Sequence, residues 1–470
     1  MVMNLWDYNV WSLLIHLTIL LGGMMLANIL RRSIKPLRQS LIPNAVLGGF
    51  LVLLIDFLLK TTLKIQIFDS ITLETLTYHG LGLGVVAITL KDDEGDAEEK
   101  KRERSTIFNY GVMVVSTYLL QGVIGLVITI GLYYLLANVF PAAGLILPMG
   151  WGQGPGQAFA WGHNYEVTWG FENGTSFGLT VAAMGFIAAS LGGILYLSRL
   201  KRKGIVRVSE NNEETEDLSA EQVTKKGEIP LSESMDKLTV QVALVAIAYS
   251  MAYLLMMGFN AVINSGILGA FGVNTLQPLV WGFNFLFATF TALLLKMILK
   301  KLKLAKLIRR EYTNDFLQNR FSGFMFDIMV VASIAAIDLS AFKVHSFVVT
   351  LVVMFVFGII GTYWYCDFVC KRVFTAHRHE AFLALYGILA ATNSMGFILL
   401  REIDPNFKTP VARYVIYQVV YASLFGFPLM LLMGYAPHGV IQSIITAGIL
   451  IVFFAAMNLL LFRKQIFRKA

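Results

Sequence analysis

Charge is what this chain has least of: Asp, Glu, Lys and Arg make up 14% of its 470 residues, where soluble globular domains carry roughly 25%. So few charges cannot cover a water-facing surface, and with 56% hydrophobic residues the chain reads as an integral membrane protein in contact with a lipid bilayer. Cysteine is scarcer still. Cys366 and Cys370 stand at i, i+4 beside Lys371 and Arg372, near an expected cytoplasmic helix end, and imply no disulfide framework. No G-x-x-x-x-G-K-[ST] loop occurs, which disfavours an ATP-driven pump, and no H-E-x-x-H or G-x-S-x-G signature points to an intramembrane hydrolase. The expectation is a protein that is not an enzyme and has no cofactor. Its formal net charge of +8 sits in short clusters between apolar runs, which sets topology and implies no nucleic-acid partner. The first ten residues, MVMNLWDYNV, lack a positive n-region and lead into an apolar run of spanning length. They are expected to insert and stay, not to be cleaved as a signal peptide.

Long apolar runs are what the chain has in abundance. A helix needs about 20 apolar residues to cross the hydrocarbon core, and thirteen stretches qualify: 10–30, 41–59, 72–90, 107–137, 142–161, 174–198, 238–259, 276–298, 322–341, 346–366, 382–400, 411–434 and 438–462. Basic loops stay in the cytoplasm. With the N-terminus outside, 31-RRSIKPLR-38 and 91-KDDEGDAEEKKRERS-105 fall inside, and 60-KTTLKIQIFDS-70 and 138-NVFPAAG-144 outside. If 142–161 crossed fully, 199-RLKRKG-204 would be delivered outside, against the rule. A re-entrant 142–161 restores the parity. The same logic in the second half places 300-KKLKLAKLIRR-310 and 371-KRVFTAHRHE-380 inside and makes 382–400 re-entrant from the cytoplasm. The C-terminus, 463-RKQIFRKA-470, then lies in the cytoplasm.

The expected fold class is an all-α integral membrane protein with two inverted repeats of five transmembrane helices. Each repeat has a re-entrant, broken segment, and one extra helix follows at the C-terminus. Residues 1–203 form the first repeat, 204–237 a polar cytoplasmic linker, 238–434 the inverted second repeat, and 435–470 the additional helix.

The two broken segments, 145-LILPMGWGQGPGQAFAWG-162 and 382-FLALYGILAATNSMGFILL-400, carry the chemistry. Backbone that leaves the helix at membrane depth survives only where it is packed in protein or lines a wet cavity. Paired breaks in corresponding halves mark the binding site of a repeat-built transporter. Gly152, Gly154 and Gly156 permit close backbone approach, Pro155 ends a helix, and Gln153 and Gln157 supply amide donors and acceptors. Ala391, Thr392, Asn393 and Ser394 put short polar groups mid-segment, where they compete with helix hydrogen bonds. Freed carbonyls suit sodium as the coupling ion, and half-helix N-termini suit a carboxylate. A kink used only for packing and hydrogen bonding across helices remain the alternative readings.

Small residues recur on nearly every turn of 174-GTSFGLTVAAMGFIAASLGG-193, including Gly174-x-x-x-Gly178, so this helix should pack closely, with the re-entrant pair as the expected partner. His16, Asp56, Glu74, His79, Asp327 and Asp338 are ionisable groups within or at the ends of spans and so functional candidates by default. Asp327 is the best placed of them for a coupling role, and Arg413, four residues beyond Thr409 in the span after the second break, for a carboxylate.

The chain resembles the bacterial glutamate:sodium symporter family over residues 10 to 434. The resemblance is carried by 42-IPNAVLGGF-50, 152-GQGPGQAFAWG-162, 170-GFENGTSFGLTVAAMG-185 and 387-GILAATNSMGFILLREIDP-405. It implies two inverted five-span repeats with re-entrant loops, a multi-pass protein of the bacterial cell membrane, and a homodimer. It further implies sodium-coupled import of a small carboxylate, L-glutamate first, by alternating access. Two departures from the family pattern, Gln157 at a usually small position and Ala390-Ala391 within a Gly-Thr-rich run, leave open another organic or amino acid, sodium or proton coupling, or a non-transporting sensor built on the same fold.

Overall fold

The computed structural model describes residues 4–91, 97–205, 236–308, 310–405 and 407–466, so nearly all of the expected linker at 204–237 lies outside the described residues. Every regular element among those described is helical. In chain order the main helices are α1 (Tyr8–Ser33), α2 (Asn44–Thr62), α3 (Ser70–Leu90), α4 (Ala97–Leu135), α5 (Pro155–Trp169), α6 (Gly174–Arg202), α7 (Lys237–Asn264), α8 (Asn284–Leu304), α9 (Asp315–Ala335), α10 (His345–Arg372), α11 (Arg378–Ala390), α12 (Asn393–Arg401), α13 (Val411–Tyr417), α14 (Val419–Tyr435) and α15 (Val440–Ile466).

Nine helices among the described residues are long and apolar enough to cross a membrane, which makes this a multi-pass membrane protein. They are α1 to α4, α6, α7, α10, α14 and α15. The thirteen apolar stretches divide differently. Stretches 142–161 and 382–400 are broken, as their composition foretells. Stretch 276–298 is divided at Phe283, and its longer part, α8, carries Lys296, Lys300, Lys301 and Lys303. Stretch 322–341 ends as helix at Ala335, and α9 includes Asp315, Arg320 and Asp327. Charged and other polar residues within these two helices, the lysines of α8 and Gln318, Asn319, Arg320 and Asp327 of α9, separate them from the nine.

The chain forms two compact units. The first comprises 1–74, 96–208 and 331–470, and the second 75–95 and 209–330, with boundaries inside α3 and α9. In the first unit α4 and α6 are central: 72% of the apolar window of each is buried, against 22% for α1. Helix α4 lies against α10 and α15, α1 against α2, and α5 against α6. The α5–α6 contact is made by small residues. A Cβ on Gly178 would stand 2.1 Å from the Ala158 carbonyl oxygen, and one on Gly174 2.6 Å from that of Gly162. Apolar side chains gain little by leaving lipid for protein, so close backbone approach and van der Waals contact hold such a pair.

The second unit packs α3, α7 and α8 around Val86, Ala87, Leu90, Val245, Ala248, Ala288 and Ala292. Asp236 starts α7 by accepting the backbone N–H groups of Leu238 (2.9 Å) and Thr239 (3.2 Å), a cap worth about 1 kcal/mol.

Candidate functional site

The first broken segment, in the first unit, descends through a 3₁₀ turn (Pro141–Leu145), the short helix Ile146–Pro148 and a π-helical turn (Met149–Gln153) to Gly154. Gly154 has φ +87° and ψ −176°, a conformation that side chains with a Cβ rarely adopt. Pro155 then opens α5 at its first position, where its missing N–H costs nothing. The second break joins α11 to α12 through Ala391 (φ −146°, ψ −85°) and Thr392 (φ −151°, ψ 166°).

The two breaks meet. A Cβ on Gly154 would lie 3.1 Å from Thr392 Cγ2 and 3.9 Å from the Ala391 carbonyl oxygen, and one on Gly185 of α6 only 2.4 Å from the Ala390 carbonyl oxygen. The N-termini of α5 and α12 therefore both lie at the junction, and neither is capped by a side-chain hydrogen bond. Uncapped helix starts expose backbone N–H groups and carry roughly half a positive charge each. Gln157, in the first turn of α5, is 1% exposed, and neither its Nε2 nor its Oε1 has a hydrogen-bond partner. A buried amide with both groups unsatisfied costs about 1–3 kcal/mol per group, an expense explained if a ligand takes those bonds.

Helix α4 holds the frayed backbone in place. Tyr118 donates its hydroxyl to the Gly152 carbonyl oxygen at 2.8 Å, and Gln121 donates to the Leu389 carbonyl oxygen (2.8 Å) and to Thr362 Oγ1 (3.0 Å). Gln121 is fully buried, and its own Oε1 is unpartnered. Sequence reasoning did not single out either residue. The available signal was a glutamine in the middle of an apolar span, one turn from a tyrosine.

Of the residues expected here, Gly152, Gly154, Pro155, Gly156, Gln157 and Ala391 are buried, Gln153 and Thr392 half-buried, and Asn393 and Ser394 exposed. Direct approach between the two segments is made by Gly154 with Ala391 and Thr392. Arg413 is engaged elsewhere: its Nη2 donates to Glu103 Oε1 at 2.8 Å, and the Tyr414 hydroxyl donates to the same oxygen at 3.0 Å. Asp327 belongs to the second unit and lies on an exposed side of α9.

The other ionisable candidates have local partners. His16 Nε2 is 2.9 Å from the Ile67 carbonyl oxygen and 3.2 Å from the Tyr8 hydroxyl. Asp56 accepts the Ile67 N–H at 3.2 Å. Asp338 caps the 3₁₀ turn Leu339–Lys343 through the N–H (2.9 Å) and hydroxyl (2.6 Å) of Ser340. Glu74 Oε2 lies 3.9 Å from His163 Nδ1. The charged loop after the second break is organised by Asp404, which accepts from Lys408 N (2.8 Å), Thr409 N (2.9 Å) and Thr409 Oγ1 (2.6 Å). Burial pushes the Asp404 carboxyl up, but the Thr409 hydroxyl and these two backbone N–H groups outweigh it and hold it below the usual carboxylate range.

Among the described residues no group of three or more His, Cys, Asp and Glu comes together to hold a metal ion. Oxygen and nitrogen atoms of backbone, amides and hydroxyls make up the junction, a donor set for a small polar or anionic molecule and a hard cation. No protein-family model matches this chain, and no curated protein matches it.

Proposed function

We propose that this protein is a secondary active transporter that binds a small carboxylate, first L-glutamate, where its two broken segments meet, and imports it with sodium by alternating access. One observation carries the reading. Two uncapped helix N-termini, one from each half of the chain, converge beside a buried glutamine with no partner for either end of its amide. Positive helix ends favour a carboxylate, and Gln157 offers both a donor and an acceptor to an amino acid.

Element order supports a repeat. Helices α1 to α4, the short turns of 141–153, a break, α5 and α6 recur as α7 to α10, α11, a break, α12 and the α13–α14 pair, with α15 left over. In this reading the repeats are inverted, the N-terminus is outside, the C-terminus is cytoplasmic, and the protein is a homodimer of the bacterial cell membrane. Sodium as the coupling ion rests on the family resemblance and on the carbonyl-rich breaks.

Proteoliposomes containing the purified protein test it directly. Labelled glutamate should accumulate with an inward sodium gradient and not when choline replaces sodium. Uptake of other carboxylates but not glutamate would reassign the substrate. If no carboxylate enters under any gradient, the transporter reading fails and a membrane sensor on the same fold takes its place.

A further inference from the structure

Within the second unit a polar cluster stands in the middle of three apolar helices, away in the chain from the two broken segments. His79 lies ten residues into α3 and Tyr249 thirteen into α7, so both sit near the midpoint of their spans. His79 Nδ1 is 2.9 Å from the Tyr249 hydroxyl. That hydroxyl also accepts from Asn284 Nδ2 at 3.3 Å, and the same amide nitrogen donates to the Tyr78 carbonyl oxygen at 3.1 Å. Asn284 is the first residue of α8, directly after the helix break at Phe283 (φ −102°, ψ 32°), and Tyr78 braces that break by donating to the Trp281 carbonyl oxygen at 2.7 Å. Two details bear on what the cluster does. Asn284 is fully buried, yet its Oδ1 has no hydrogen-bond partner. His79 is on the exposed side of α3, where an ionisable group at membrane depth is costly unless it has a task.

We propose that His79, Tyr249 and Asn284 form a proton-binding site. The chain of bonds has two arrangements. In one, the Tyr249 hydroxyl donates to Nδ1 of a neutral imidazole whose hydrogen is on Nε2. In the other, Nδ1–H donates to the Tyr249 oxygen, which frees the Nε2 lone pair to take a second proton. The Tyr249 hydrogen must then find a new acceptor, and Asn284 Oδ1, the amide oxygen with no partner, supplies one after rotation of the amide. An empty acceptor that is wasteful in the neutral arrangement is what the imidazolium arrangement requires. The groups facing His79 are the Tyr249 hydroxyl from α7, Asn284 from α8 and the Tyr78 ring on its own helix, 5.2 Å away edge-on. Helix α9 reaches α3 through Met325 and Met329 at Gly80 and Phe326 at Gly84, and its one carboxylate in that stretch is Asp327. The amide that must rotate belongs to the first residue of α8, directly after the break at Phe283, and its rotation gives up the bond from Nδ2 to the Tyr78 carbonyl oxygen.

The test is nitrogen NMR of the full chain in nanodiscs with ring-labelled histidine, titrated from about pH 5 to 8. The His79 resonance is assigned by its absence in His79→Gln. It should titrate within that window, and Tyr249→Phe should move its midpoint by about half a pH unit or more. If His79→Gln does not fold, the resonance displaced by Tyr249→Phe identifies the site among the seven imidazoles. A His79 imidazole that keeps one protonation state throughout, or a Tyr249→Phe spectrum with no imidazole moved, overturns the proposal. No transported solute is involved, so the outcome stands apart from whether glutamate is carried.

Discussion

The two breaks end their helices by different means. At Gly154 the interruption is written into the local chain: φ is positive, glycine tolerates it, and the next residue is a proline set to start a helix. At Ala391–Thr392 both φ values are negative: Thr392 is extended (ψ 166°), whereas Ala391 (ψ −85°) lies outside both the helical and the extended regions. No positive φ, glycine or proline marks a break there, and the three short polar side chains that follow Ala391 only compete with helix hydrogen bonds. What holds the second break open is its surroundings, namely Gly154 against Thr392, Gly185 against the Ala390 carbonyl, and Gln121 bonded to the Leu389 carbonyl. One break is thus a property of its sequence, and the other is imposed by what packs on it.

Substitutions break or sharpen this contrast, the most disruptive first. Gly185→Val drives a branched side chain into backbone at the imposed break, and such overpacking costs about 3 kcal/mol or occasionally more. Loss of monodisperse protein after detergent extraction is the expected outcome. Gly154→Ala places a Cβ at positive φ in the encoded break and should cost about 1–3 kcal/mol, whereas Ala391→Gly should cost under about 1 kcal/mol. Thermal melts of the two variants side by side read the difference, and equal shifts would erase the contrast.

Gln121→Leu leaves the Leu389 carbonyl without its donor, at about 1–2 kcal/mol. Accessibility to a thiol reagent of a cysteine placed at Thr392 should rise in that variant and stay unchanged with Tyr118→Phe, which touches only the first break.

A smaller effect follows from Asp404, beyond the second break. Its lowered pKa contributes stability that is fully present above the ordinary Asp value of about 3.9 and is lost as pH falls through the lower folded value. The melting temperature should therefore fall more steeply below about pH 4 in the wild type than in Asp404→Asn, which lacks this contribution at every pH. Gln157→Leu should change stability least, or raise it slightly, because it removes an unsatisfied buried amide. Loss of carboxylate binding by isothermal calorimetry with the melt unchanged would mark Gln157 as a ligand group, and retained binding would mark it as packing.

Much of this was legible beforehand. The Gly-x-Gly-Pro-Gly run gives away the first break, because glycine dihedrals and the missing proline N–H act within one or two residues. The small residues of 174–193 likewise announce a close helix contact, and α5 supplies it at Ala158 and Gly162. The contributions of Tyr118 and Gln121 were not legible. Both sit in an apolar span whose periodicity says only that it crosses a membrane, and their partners lie 34 and 268 residues away. Arg413 read as a cation near a substrate, but a carboxylate 310 residues distant, Glu103, engages it.

By itself the sequence determined that this is a helical, multi-pass membrane protein, where its first helix break falls, and which residue types stand at both breaks. These follow from hydropathy and from backbone sterics, which act over one helical turn or one span. Only the tertiary structure decided that the breaks touch, that α4 braces both, that Gln157 is left without a partner, and that His79 reaches Tyr249. Each of those depends on which helix faces which, and that choice is made by close packing among residues hundreds of positions apart, where apolar surfaces bathed in lipid exert no preference of their own.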